Sequence, residues 1–344
     1  MTQRSGGSRR AALRRAAALA AAVCTVPAAH GHHSTALVYH RDGPIIEAEG
    51  IVTEVAWVNP HVRLKVRGAG ADGVERLWEI ESNSVSTVSR FGLTAELVAA
   101  GTRVKVAGNG GRQADNVLWL TNMLLPSGEE ILFGAAVQPR WSQQTIGRDV
   151  RGAVTADSQN LGLFRVWTNA TNPVAFWGDT LPLTGSAAAV RAAFNPSTDE
   201  PTANCAPKGM PFIMEQPYPM QFVRDGDDIL MRMEEYDTVR RFKMSSAAAN
   251  EGRASLLGDS LGRWDGETLV VTTTNIDYGW FNATGIPLGP DATTQERFTL
   301  NADGSRLDYT MTVTDPATFT APVTLRKAWE WRPGEQVRPY ECKQ

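Results

Sequence analysis

The sequence predicts an all-β protein of two modules, an OB-like five-stranded barrel over residues 32–135 and a lipocalin-like antiparallel up-and-down β-barrel over residues 164–344. Three observations predict it. Side chains alternate with period two through Ile51, Thr53, Val55 and Trp57, and again through Val62, Leu64 and Val66, as in half-buried strands. Turn sequences recur at short intervals in the second half, at Arg224–Asp228, Asp265-Gly266 and Asn301-Ala302-Asp303-Gly304. The chain of 344 residues also exceeds the comfortable size of one small domain.

Residues 1–31 read as a signal peptide. Arg4, Arg9, Arg10, Arg14 and Arg15 form a basic start without an acid, Ala16 to Val26 is apolar but too short to span a bilayer, and small residues follow. Ser8-Arg9-Arg10 with Leu13 also fits a twin-arginine signal, so Sec and twin-arginine routes both remain open. The expected location is periplasmic or secreted, with no integral membrane segment once the signal is removed. Losing five arginines and no acid moves the formal charge from −3 to −8. That acidic balance argues against nucleic acid as a partner, because phosphate binding needs a basic face.

In the first module, three strands (51–57, 62–66 and 75–81) precede short helical pieces near 84–90 and 94–99. Two more strands, around Val104 and over 117–125, complete the order of an OB-type barrel. Residues 136–163 lack periodicity and are expected to link the modules. In the second module the expected strands are 220–223, 229–233, 238–244, 260–264, 268–274, 295–300, 306–314 and 322–331. Eight strands joined mostly by short turns can close on themselves, which removes exposed edges and leaves room for one small ligand.

Cys24 leaves with the signal, and in an oxidising compartment Cys205 and Cys342 are expected to pair. Such a bond closes a long loop and is worth about 4–5 kcal/mol by the loop-entropy model.

Three groups of residues are candidates for chemistry. All five histidines lie within the first 61 residues. Cleavage after Gly31 would expose an N-terminal His32, whose amine and imidazole, with His33 or His61, suit a tetragonal Cu(II) site. The competing reading is a frayed terminus, with His61 capping a turn. Glu234 and Tyr236, expected on one face of a strand, and Asp277 in a loop are acid–base candidates if they face an apolar lumen. Their bland alternative is a solvated turn with Glu–Arg pairs. Trp167, Trp177, Tyr278, Trp280, Phe281, Trp329 and Trp331 could line a ligand pocket, although core packing is the default explanation for such aromatics. GxSxG, P-loop, HExxH, CxxC and post-strand GxGxxG signatures are absent from the sequence.

His32-His33-Ser34, the run Gly50–Trp57 and Asn59-Pro60-His61 in the first module carry a wider resemblance. So do Cys205–Pro211, Ser260–Leu269 and Glu296-Arg297-Phe298 in the second. With these motifs the chain resembles a group of exported bacterial two-module proteins without an assigned function. The resemblance implies export and the two-module layout, but no reaction. The leading expectation is a small-ligand-binding protein that holds an apolar molecule in the C-terminal barrel. An isomerase, cyclase or hydratase acting in the same barrel is the first alternative. A copper-dependent oxidative enzyme using His32 is the second.

Overall fold

The structure is a computed structural model that describes residues 38–40, 42–134, 136–147, 161–169, 180–196, 198–199, 201–245 and 254–343. The protein is all-β, with a five-stranded barrel followed by a nine-stranded one.

The first barrel is built on β1 (Ile45–Ala56), which pairs antiparallel with β2 (Arg63–Gly70) on one side and β4 (Arg103–Gly110) on the other. β3 (Glu75–Glu81) adds to β2, and β5 (Val117–Leu124) adds to β4. A parallel pairing of β3 with β5 closes the ring in the order expected of an OB barrel. Period-two alternation sends Leu64, Val66, Trp78, Ile80, Val104 and Val106 into one core. β1 and β2 approach so closely that a Cβ on Gly50 would lie 2.2 Å from the Arg67 carbonyl oxygen, which explains glycine there. Between β3 and β4 sits α1 (Val85–Val88), capped by Ser84, whose hydroxyl accepts the Thr87 N–H.

The first module extends beyond the expected boundary. β6 (Glu130–Leu132) pairs with β5, and β7 (Thr145–Ile146) pairs with β6. Glu130 holds the intervening turn by accepting the backbone N–H groups of Arg140, Trp141 and Ser142 at 2.8–3.1 Å. Burial raises its pKa, but these bonds and one from Asn122 outweigh burial and lower it. Residues 136–147, assigned to the linker by their lack of periodicity, are therefore packed onto this module through a buried carboxylate.

The second barrel contains β8 (Val166–Asn169), β9 (Met220–Asp225), β10 (Asp228–Met233), β11 (Val239–Lys243), β12 (Asp259–Asp265), β13 (Thr268–Thr274), β14 (Thr293–Leu300), β15 (Arg306–Thr314) and β16 (Val323–Glu330). Its order around the ring follows the chain, and β8 closes it between β16 and β9. Two details differ from expectation. The ninth strand is the short β8, whose four residues offer too little alternation to be read as a strand. β11 and β12 pair in parallel, so the connection between them crosses over instead of turning back. α2 (Gly185–Ala193), capped by Thr184, lies in the long connection from β8 to β9. Later in that connection, Met210, Ile213 and Met214 join the barrel core. Among the described residues no helix is long and apolar enough to cross a membrane.

Cys205 and Cys342 form the expected disulfide. It fastens the tail after β16 next to the first module. There Asn59 donates to Ser86 Oγ at 3.2 Å and to the Tyr340 carbonyl, and Lys343 N–H donates to the Asn59 carbonyl at 3.0 Å. Asn59-Pro60-His61 thus lies where the two modules meet.

Candidate functional site

The second barrel encloses a network of charged and hydroxyl side chains, the candidate site. Arg240 on β11 points inward and is buried. Its Nη1 donates to Glu296 Oε1 at 2.9 Å and its Nη2 to Glu296 Oε2 at 2.5 Å, a bidentate pair from β11 to β14. Tyr309 on β15 donates to the same carboxylate at 2.7 Å. Ser260 and Thr273 lie 3.4 and 3.2 Å from Arg240 Nη2, and Met214 Sδ lies 3.2 Å from Nη1. Burial alone would lower the Arg240 pKa, but the Glu296 charge reverses this and raises it. Burial and Glu296 together drive the Tyr309 phenol well above its usual pKa. Arg240 therefore stays a cation, and Tyr309 stays a neutral donor.

Lys327 on β16 belongs to the same interior. It stands opposite Tyr309 across the sheet and between Leu325 and Trp329 on the inward face. Its Nζ donates to the carbonyls of Met214 at 3.2 Å and Gln216 at 2.5 Å. Burial lowers its pKa to about 7, against the pull of Glu215 and Glu235. The segment carrying Met214 is itself anchored by a buried ion pair, Lys208 with Glu235 at 2.8 Å.

Three buried polar atoms around this network have no hydrogen-bond partner among the described residues: Arg240 Nε, Thr294 Oγ1 and Trp329 Nε1. Native interiors satisfy nearly all such groups, so each requires an explanation.

The acid–base candidates fall elsewhere. Residues 234–237 form a tight turn between β10 and β11, with Tyr236 and Asp237 at φ of 55° and 50°. The expectation that Glu234 and Tyr236 share a strand face is corrected: the turn bonds Asp237 N–H to Glu234 O and Thr238 N–H to Glu235 O, which ends the alternation. Glu234 is fully buried at the seam between the modules. It accepts Arg90 Nη1 and Nη2 at 2.9 and 2.7 Å and Arg338 N–H at 3.0 Å. Tyr236 packs its ring 5.1 Å from that of Tyr340. Asp277 is exposed on the loop after β13.

The aromatic candidates divide. Trp167, Phe281 and Trp329 are in the barrel core. Trp331 is half-buried and sandwiches the Arg165 guanidinium with Trp167. Tyr278 and Trp280 are half-buried on the loop after β13, with Trp280 against Phe194. Trp177 lies outside the described residues.

Of the metal candidates, His32 and His33 lie outside the described residues. His61 is buried, with Nδ1 2.9 Å from the Ser82 carbonyl and its ring edge-on to Trp119. A carbonyl only accepts, so Nδ1 carries the proton. Among the described residues no group of three or more His, Cys, Asp or Glu could hold a metal ion.

The seam has a cleft of its own, of about 140 Å³, walled by Trp57, Asn59 and Ser86 from the first module and by Arg338 and Tyr340 from the tail.

The network on Arg240, Glu296, Tyr309 and Lys327 was missed from sequence, though a signal existed. Glu296 sits between Thr294 and Phe298 on one strand face, and Lys327 between Leu325 and Trp329 on another. A charge on the apolar face of a strand is the unusual event, since charged residues are rarely buried unless paired.

A model for a family described only as a Family of unknown function (DUF6152) matches residues 20–117, most of the first barrel. No curated protein matches the chain. The second barrel, with its buried network, lies outside the family match.

Proposed function

We propose that this is an exported small-ligand-binding protein that holds a largely apolar molecule inside its C-terminal barrel. One observation carries the reading. The interior combines an aromatic and aliphatic core with buried polar atoms that the described residues leave without partners. Sites for small molecules have this composition, an apolar wall with a few placed polar groups. The reading favours binding over catalysis, because Glu234 is spent on Arg90 and Asp277 faces solvent. The arginine-rich, acid-free first segment and the disulfide support export.

Native mass spectrometry of the full chain purified from the periplasm tests both parts. The expected result is a mature chain lacking its first segment, with a non-covalent adduct lost on organic extraction. A protein retained in the cytoplasm overturns export. A protein that neither carries an adduct nor takes up any apolar probe overturns the binding role.

A further inference from the structure

In the Arg240 network both Glu296 oxygens are used: they accept from the two Arg240 Nη atoms and from Tyr309. Ser260, Thr273 and Met214 surround the same Nη atoms. Arg240 Nε and Thr294 Oγ1 differ, being buried and without a partner among the described residues. The two belong to one place. Thr294 stands directly opposite Thr273 across β13 and β14, so their side chains share the inner face, and Thr273 Oγ1 is 3.2 Å from Arg240 Nη2. Arg240 Nε–H can only donate, and a threonine hydroxyl can donate, so the group that completes them must accept. A cationic group there would also face the guanidinium.

Resting on the reading of this interior as a ligand site, we infer that the ligand is an apolar molecule bearing a hydrogen-bond-accepting oxygen, held against Arg240 Nε and Thr294 Oγ1. Phe298, Met311 and Leu325 supply apolar surface on the same inner face. Trp329 is left out of that contact: its register matches Leu307 and through it Leu300, so its backbone lies about 20 Å along the strand from Thr294, and its ring packs on Tyr309.

The test compares two ten-carbon probes, 2-decanone, which only accepts, and decylammonium, which only donates. Binding to the full-length protein is measured by calorimetry for the parent, Thr294→Val and Trp329→Phe. The parent is expected to bind 2-decanone at least about tenfold tighter than decylammonium, the scale of one buried donor left unmet. Thr294→Val keeps the side-chain shape and is expected to weaken 2-decanone about tenfold. In the same variant decylammonium is unchanged, and Trp329→Phe preserves the ranking. Equal affinity for the two probes, or an unchanged ketone affinity in Thr294→Val, overturns the oxygen assignment but leaves binding in the barrel intact. If neither probe binds, and a crystal structure shows only water on Arg240 Nε and Thr294 Oγ1, the binding role itself falls.

Discussion

Replacing Glu234 with alanine should loosen the two modules from each other. The carboxylate is fully buried and accepts three hydrogen bonds, two from the Arg90 guanidinium and one from Arg338 N–H. A guanidinium does not give up its proton in proteins, so Arg90 remains a cation after the substitution. Breaking a buried pair from one side costs about 3–5 kcal/mol, because the other charge stays behind. Arg90 keeps Glu335 at 3.0 Å, and its side chain is 14% exposed, which puts the expected loss near the lower end, about 3 kcal/mol. Replacing both members with methionine removes the stranded charge and should cost less than Glu234→Ala alone. Urea unfolding followed by tryptophan fluorescence, run as a double-mutant cycle on Arg90 and Glu234, measures the coupling directly. A Glu234→Ala variant within about 0.5 kcal/mol of the parent would refute the lock, since surface substitutions fall within that range.

Three further outcomes follow from the geometry. Replacing Cys205 and Cys342 with serine should cost about 4–5 kcal/mol by loop entropy, read as a lowered urea midpoint, and should expose the tail after β16 to limited proteolysis. The Lys327 pKa of about 7 in the folded chain lies below its unfolded value, so between those values the unfolded chain binds the extra proton. Stability should therefore rise with pH above 7, by up to about 2.7 kcal/mol between pH 7 and 9, and Lys327→Met should flatten that slope in urea melts. Gly209→Ala should destabilise by about 1–3 kcal/mol in thermal melts, because the new Cβ would lie 2.4 Å from the Tyr278 ring and 2.6 Å from the Leu256 carbonyl oxygen.

Local pattern made much of this fold legible. The alternation in Leu64–Val66 and the Asp265-Gly266 turn report strands and hairpins within a few residues, so both barrels could be anticipated. β8 could not, because four residues cannot display a period, and its place in the ring is set by pairing with residues 221 and 329. The turn at 234–237 was misread for a related reason. Glu-Glu-Tyr-Asp contains no glycine, yet Tyr236 and Asp237 both take positive φ, conformations normally supplied by glycine or asparagine. The partners of Glu234 were out of reach altogether. Arg90 is 144 residues away in the chain, and a bond of that span leaves no local trace. The buried network was half visible. Glu296 and Lys327 could be flagged by parity on their strands, but that Arg240 and Tyr309 meet Glu296 depends on how three separate strands register across the lumen.

The contacts of Glu335, Arg338, Tyr340 and Lys343 with Arg90, Ser89 and Asn59 of the first module impose an order on assembly. Both barrels have all their strands, and the Arg90–Glu234 pair between them, before residue 331 is reached, but the remaining contacts of the clasp come only afterwards. A ribosome halted at residue 330 would release two finished halves joined by the connecting chain and the Arg90–Glu234 pair, without the disulfide or the tail's hydrogen bonds. Completing the clasp is therefore among the last events in the making of this molecule, and any fusion or trimming that disturbs residues 335–343 acts on that final event and spares the barrels themselves.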